Sequence, residues 1–316
     1  MEIIRGTENS GNYNTELYNI LVSLPHGILF HSEHSLREPL GIYNVSLNRV
    51  LRAFENILIE LKEQNNFEKI DLAHKELLES LMAYIDDGYQ IMKCFYPKAL
   101  VNGNIIFADQ WLKKVDKQLI VEYKNNIEPF RNKIALIVNK TKHNHARYCH
   151  VEGSTLLGKV LGYYIEGIIG GGVICPDTEI HPMFNGEHTA ISYNKDIRDN
   201  IANLYIISHL MANTIRKIVL KNHGVTLNET LITYEHDEKI TTIFKDISLL
   251  RLLFFPDEYN GELTQIIIKD KEIRIKKPAN NSYRNRLTRP KNWKMKTTMS
   301  GDGVTRSWAL PYLKFE

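Results

Sequence analysis

The stretch NKTKHNHARYCHVEG (139–153) holds three of the chain's twelve histidines and one of its three cysteines. Its reading decides where a helical region ends and a sheet begins. Upstream, SLNRVLRAFENILIELKE (46–63) repeats apolar residues at three- and four-residue steps, through Leu47, Val50, Leu51, Phe54, Leu58 and Leu61. Ile70, Ala73, Leu77, Leu81, Tyr84, Ile85 and Ile91 continue the pattern in a second helix, and a third is expected over about 108–126. A fourth is expected from Ile127 through Tyr148, with Pro129 accommodated near its start. Four helices with short connections imply an antiparallel bundle. Residues 1–46, punctuated by SLPHG and REPLG, read as irregular.

Downstream the pattern changes. KVLGYYIEGIIGGGVICPDTEIHP (159–182) reads as a β-hairpin turning at its glycines, and HTAISY (188–193) as a short strand. Asp196–Asn222 carries one apolar stripe, with acids in its first turn, bases in its last and Gly224 as a C-cap, so a long helix is expected. ETLITYEHDEKITTIF (229–244) and ELTQIIIKDKEIRIKKP (262–278) read as hairpins, and ISLLRLLFFP (247–256) fits helix or buried strand. The fold class is α+β: an N-terminal antiparallel helical bundle, then a mixed α/β part with β-hairpins and one long helix. The expected divisions are 1–46 irregular, 47–155 bundle, 156–275 mixed part and 276–316 tail.

Hydrophobic residues make up 43% of the 316 and charged residues 24%, the balance of a globular protein with a sizeable core. Three widely spaced cysteines without a CxxC pair argue against a disulfide framework. MEIIRGTENSGNYN lacks an apolar signal-peptide core, and LGYYIEGIIGGGVICP (161–176) is too short and glycine-rich to cross a bilayer as a helix. A cytoplasmic protein without membrane partners is expected. Charge is unevenly placed: residues 276–316 carry ten Lys/Arg against one Asp and one Glu, a net +8, leaving −5 for the rest.

If the fourth helix runs to His150, His145 and Cys149 face the core, while Asn139, His143, Arg147 and His150 form one outward strip. Imidazole exchanges protons near neutral pH and guanidinium holds phosphate. With Lys140 and Lys142 beside it, the strip suits metal-independent attack of a ribose 2′-hydroxyl on its neighbouring phosphate. A solvated basic helix face is the competing account. A zinc site from His143, His145, Cys149 and His150 is disfavoured, because 143 and 145 point apart on a helix. Asp177, Glu179 and His181 alternate along an expected strand and make a weaker metal candidate. No metal and no cofactor is assigned.

A bundle whose last helix carries RNKIALIVNKTKHN (131–144), above all Asn139, Lys142, His143 and Asn144, resembles the HEPN superfamily of prokaryotic ribonucleases, toxins and defence proteins. The resemblance implies dimerisation, a composite ribonuclease site and a proton-transfer role for His143. Arginine does not stand four residues before His143; Asn139 does. Arg216 and His223 match the family's Arg–His spacing literally, at a helix end where bases and a following glycine are expected anyway.

Neither GIIGGGVICPD (167–177) nor LLGKVLG (156–162) supplies a phosphate-loop sequence, so no nucleotide site is assigned. The tail interleaves cations with Tyr283, Trp293, Trp308, Tyr312 and Phe315, a composition suited to single-stranded nucleic acid. Arg284, Arg286, Arg289, Lys291, Trp293, Lys294 and Lys296 are its expected contacts. The sequence therefore points to an RNA-binding protein, with metal-independent endoribonuclease activity expected of His143, Arg147, Lys142, Asn139 and His150; the resemblance implies a homo-oligomer in a bacterial defence or toxin system. The alternative is a non-catalytic sensor or assembly subunit that dimerises through the bundle and binds a protein or nucleic-acid partner through its tail.

Overall fold

The computed structural model describes residues 1–5, 13–64, 66–103, 105–143, 146–168, 173–229, 237–269, 272–277, 290–297 and 311–312. Strand β1 (Glu2–Arg5) opens the chain, followed by helices α1 (Glu16–Val22), α2 (Pro39–Glu63), α3 (Phe67–Lys93), α4 (Ala108–Val115) and α5 (Lys117–His143). Strands β2 (Tyr148–Thr155), β3 (Gly158–Ile168), β4 (Ile174–Pro176), β5 (Met183–Phe184), β6 (Glu187–His188) and β7 (Ile191–Ser192) come next. Helices α6 (Tyr193–His223) and α7 (Asp237–Leu249) lead to β8 (Gln265–Lys269), β9 (Glu272–Lys276) and β10 (Lys294–Thr297). The class is α+β, as the two periodicities require.

Side-chain ladders fix the helix directions. Arg49 meets Asp87 at 3.8 Å and Asn56 meets Glu76 at 3.3 Å, so α2 and α3 are antiparallel. Tyr84 bonds Ser208 at 2.6 Å and His74 bonds Asp196 at 2.7 Å, so α6 runs parallel to α3. Glu122–Lys217 and Lys133–Asp196 run α5 antiparallel to α6. Glu55–Lys239 and Lys62–Asp246, both at 2.7 Å, set α7 parallel to α2. Close approach of α3 and α6 requires Gly88, where a Cβ would lie 2.1 Å from Met211 Cε.

Several expectations are corrected here. The long helix α6, expected in the mixed part, packs against the bundle helices, and one buried cluster extends from Ile3 to Ile275. A boundary at 155/156 falls inside the β2–β3 hairpin, whose register closes at Thr155↔Gly158. Residues 1–46 are not irregular throughout, since they contain β1, α1 and the start of α2, which begins with Pro39 in its first turn. The break expected near 126 lies instead at Asp116, which accepts from Leu119 N and caps α5. Pro129 is therefore interior to α5, a position whose missing amide bond costs about 3 kcal/mol in an isolated helix. The 237–244 part of the expected 229–244 hairpin is helical: Ile240, Ile243, Phe244 and Ile247 recur at helical spacing and are buried. Residues 230–236 lie outside the described residues.

The expected 262–278 hairpin is present as β8–β9, and β1 adds to β9 in a three-stranded sheet. β3 pairs with β4 as expected, and also with β2 and β7. The larger sheet runs β10-β2-β3-β4, placing β10 at its edge. One face of β3 (Leu161, Tyr163, Ile165) packs on the helices. The other face meets Phe255, Trp293, Met295 and Tyr312 in a second cluster with Cys149, Val151 and Tyr164.

Candidate nucleic-acid interface

The helix that carries Asn139 stops at His143. Asn139, Lys142 and His143 are exposed on its last turns, where cationic side chains complement the helix dipole. Asn144 and His145 lie outside the described residues. Arg147 is exposed in the connection, and β2 begins at Tyr148. The outward strip expected through residue 150 is therefore not formed. Strand geometry turns His150 inward: its Nε2 is 2.9 Å from Asp71 and its ring stacks on Phe67 at 4.4 Å. Cys149 points to the opposite face and bonds Glu166 at 3.2 Å, so it shares no zinc site with His150.

Asp177, Glu179 and His181 fall in a turn rather than on a strand. Lys140 pairs with both carboxylates, and His181 Nε2 accepts from Ile165 N at 2.8 Å. Burial pushes the His181 imidazole down to about 3. No group of three metal-ligating side chains occurs among the described residues.

A buried polar network lies beneath β3. Asp196, in the first turn of α6, is 2% exposed and takes Lys133 Nζ of α5 at 3.0 Å, His74 Nε2 of α3 at 2.7 Å and Tyr163 Oη at 3.1 Å. Tyr193 donates to Asp71 at 2.9 Å, joining His150 to the same region. Burial alone would raise the Asp196 carboxyl, but Lys133 and His74 outweigh it and hold it well below the usual carboxylate range. Lys133 keeps its stem half-exposed and turns its ammonium inward. This network ties helices to sheet.

The cationic surface lies at the sheet edge. On β10, Lys294 and Lys296 are exposed and alternate with half-buried Met295 and Thr297. Lys294 stands opposite Ser154, and Ser154 stands opposite Lys159. Directly opposed residues share a face, and strands lie roughly 4.8 Å apart, so Lys294 and Lys159 sit about 10 Å apart across one row. Arg251 adjoins that row: its Nη1 donates to Leu157 O at 3.0 Å, and its guanidinium occupies the space a Cβ at Gly158 would fill. Lys62, Lys159 and Arg251 line a cavity of about 400 Å³, with Leu161, Leu249 and Asn194 among its other walls. Glu152 pairs with Lys159 at 3.3 Å and Asp246 with Lys62 at 2.7 Å; Arg251 has no carboxylate partner among the described residues.

No family model, no curated protein and no solved structure matches this chain. The chemistry must be read from its own residues.

Of the expected tail contacts, Lys291, Lys294 and Lys296 are exposed. Trp293 packs against Phe255 and over Gly153, and donates Nε1–H to Pro290 O. Its ring anchors β10 to the sheet. Arg284, Arg286 and Arg289 lie outside the described residues. Lys159, Arg251 and Lys62 were not among the expected contacts. LLGKV was legible only as a failed phosphate loop, because its cation gains neighbours through strand register rather than through sequence.

Proposed function

We propose that this protein binds nucleic acid through the edge of its larger sheet, with residues 139–150 acting as scaffold. The observation that carries the reading is the row Lys294–Ser154–Lys159, flanked by Lys296 and Arg251. Such spacing presents cations along one face without carboxylates sufficient to neutralise them all, which suits a phosphate backbone. RNA is the ligand favoured by the HEPN resemblance of residues 131–144. The resemblance offers a ribonuclease role as well, but His150 bonds Asp71 beneath the sheet while His143 ends a helix. A proton-transfer pair needs both groups within reach of one phosphate.

The full chain, given labelled transfer RNA and single-stranded RNA in EDTA, is expected to shift both without cutting either. His143→Ala is expected to behave as wild type. Products that appear with wild type and vanish in His143→Ala would restore the ribonuclease account.

A further inference from the structure

The β2–β3 hairpin closes at Thr155↔Gly158, which leaves Leu156 and Leu157 as its two turn residues. The one positive backbone angle at this turn falls on Gly158, and neither leucine adopts one. Leu156 is 99% exposed and Leu157 48%, with Leu249 at 75%. Two adjacent apolar side chains turned to solvent at a hairpin tip gain no packing within the fold, and an exposed apolar point of this kind marks a contact surface.

The tip is also braced. Thr155 Oγ1 accepts from Leu157 N at 3.1 Å, and Arg251 Nη1 donates to Leu157 O at 3.0 Å. Gly158, at φ +129°, admits the guanidinium against the turn. An apolar point is thus held between Lys159 and Arg251, with Lys294 two strands away. Among the described residues, the exposed apolar side chains at this corner are aliphatic, which gives splayed bases no aromatic platform among them. Aliphatic side chains on a narrow ribbon suit entry between stacked base pairs.

Resting on the nucleic-acid reading above, we infer that the Leu156–Leu157 turn is a wedge that enters a base step of a double-stranded nucleic acid while Lys159, Arg251 and Lys294 hold the flanking phosphates. At the turn the occupant is a duplex, whereas the cation row beside it holds the phosphates of a single strand as well.

The test uses the full chain with RNA and DNA duplexes carrying a fluorescent adenine analogue at a central step, together with the matching single strands. Wild type is expected to unquench the analogue in duplex, with RNA and DNA arms showing which duplex it prefers. Leu156→Ser/Leu157→Ser should abolish the signal and weaken duplex binding by roughly tenfold. Gly158→Ala, which keeps every charge but displaces Arg251, should reduce the signal as well. Duplex binding without unquenching, or unquenching retained in the double-serine variant, overturns the wedge and leaves the nucleic-acid reading intact. Failure to bind any nucleic acid overturns both. Leucine-dependent binding of anionic phospholipid vesicles, with nucleic acid ignored, would reassign the tip to a membrane surface.

Discussion

Replacing Asp196 by Asn isolates the network that joins α3, α5 and α6 to the sheet. The carboxylate is 2% exposed and meets Lys133, His74 and Tyr163 within 3.1 Å. Removing one partner of a buried ion pair costs about 3–5 kcal/mol, because the remaining charge and donors lose their acceptor. Asparagine keeps the shape and one acceptor, and the half-exposed Lys133 stem lets its ammonium swing to water. Both features place the loss near the lower end, at about 3 kcal/mol, or a fall in Tm of roughly 4–5 °C for a chain of this size. Urea and thermal unfolding at neutral pH would measure it. Because the folded carboxyl is held far below its ordinary value, the Asp196 contribution is complete above about pH 4 and disappears only as pH falls toward the folded value. The gap between wild type and Asp196→Asn should therefore stay constant from pH 8 to about pH 5 and narrow only in stronger acid. A loss under about 1 kcal/mol, the scale of an exposed pair, would refute the reasoning.

Other outcomes follow from the same packing. Burial and Asp257 push the Glu258 carboxyl up to about 8, so it binds a proton that the unfolded chain releases near pH 4. Its contribution falls as pH rises between those values, and Glu258→Gln should flatten the decline in stability from pH 5 to 9; Ser192 N and Phe255 N, which favour the charged form, limit the effect. An unchanged slope would remove Glu258 as the cause. Gly88→Ala should destabilise the fold by about 1–3 kcal/mol in urea titrations, since Met211 must leave its place between α3 and α6. Retained wild-type stability would show that the thioether simply repacks.

Much of the helical layer was legible because its side chains obey one period. Leu47 to Leu61 and Ile70 to Ile91 are buried as their spacing requires, and Gly224 closes α6 at φ +65°. The β8–β9 hairpin was legible because IIIKDKEIRI carries turn residues between two strands. Partnerships across long stretches of chain were not. β1 joins β9 only through tertiary folding, and α6 enters the bundle although a sheet precedes it. At 139–153 the helical period itself misled: Tyr148 and Cys149 fit the core face of a helix, yet alternate equally well on a strand. His150 then moves from an outward strip to a buried contact with Asp71. The β10 lysines could be named from composition, whereas their alignment with Lys159 depends on register.

The most direct measurement is the salt dependence of RNA affinity for wild type and for Lys159→Ala/Lys294→Ala/Lys296→Ala, titrated by fluorescence anisotropy in EDTA. Wild-type affinity should fall steeply with salt, and the variant should bind more weakly with a slope shallower by about 2, since each phosphate contact on a single strand contributes roughly 0.7. Equal affinity and equal slope for the two proteins would contradict the assignment of the sheet edge as the nucleic-acid surface.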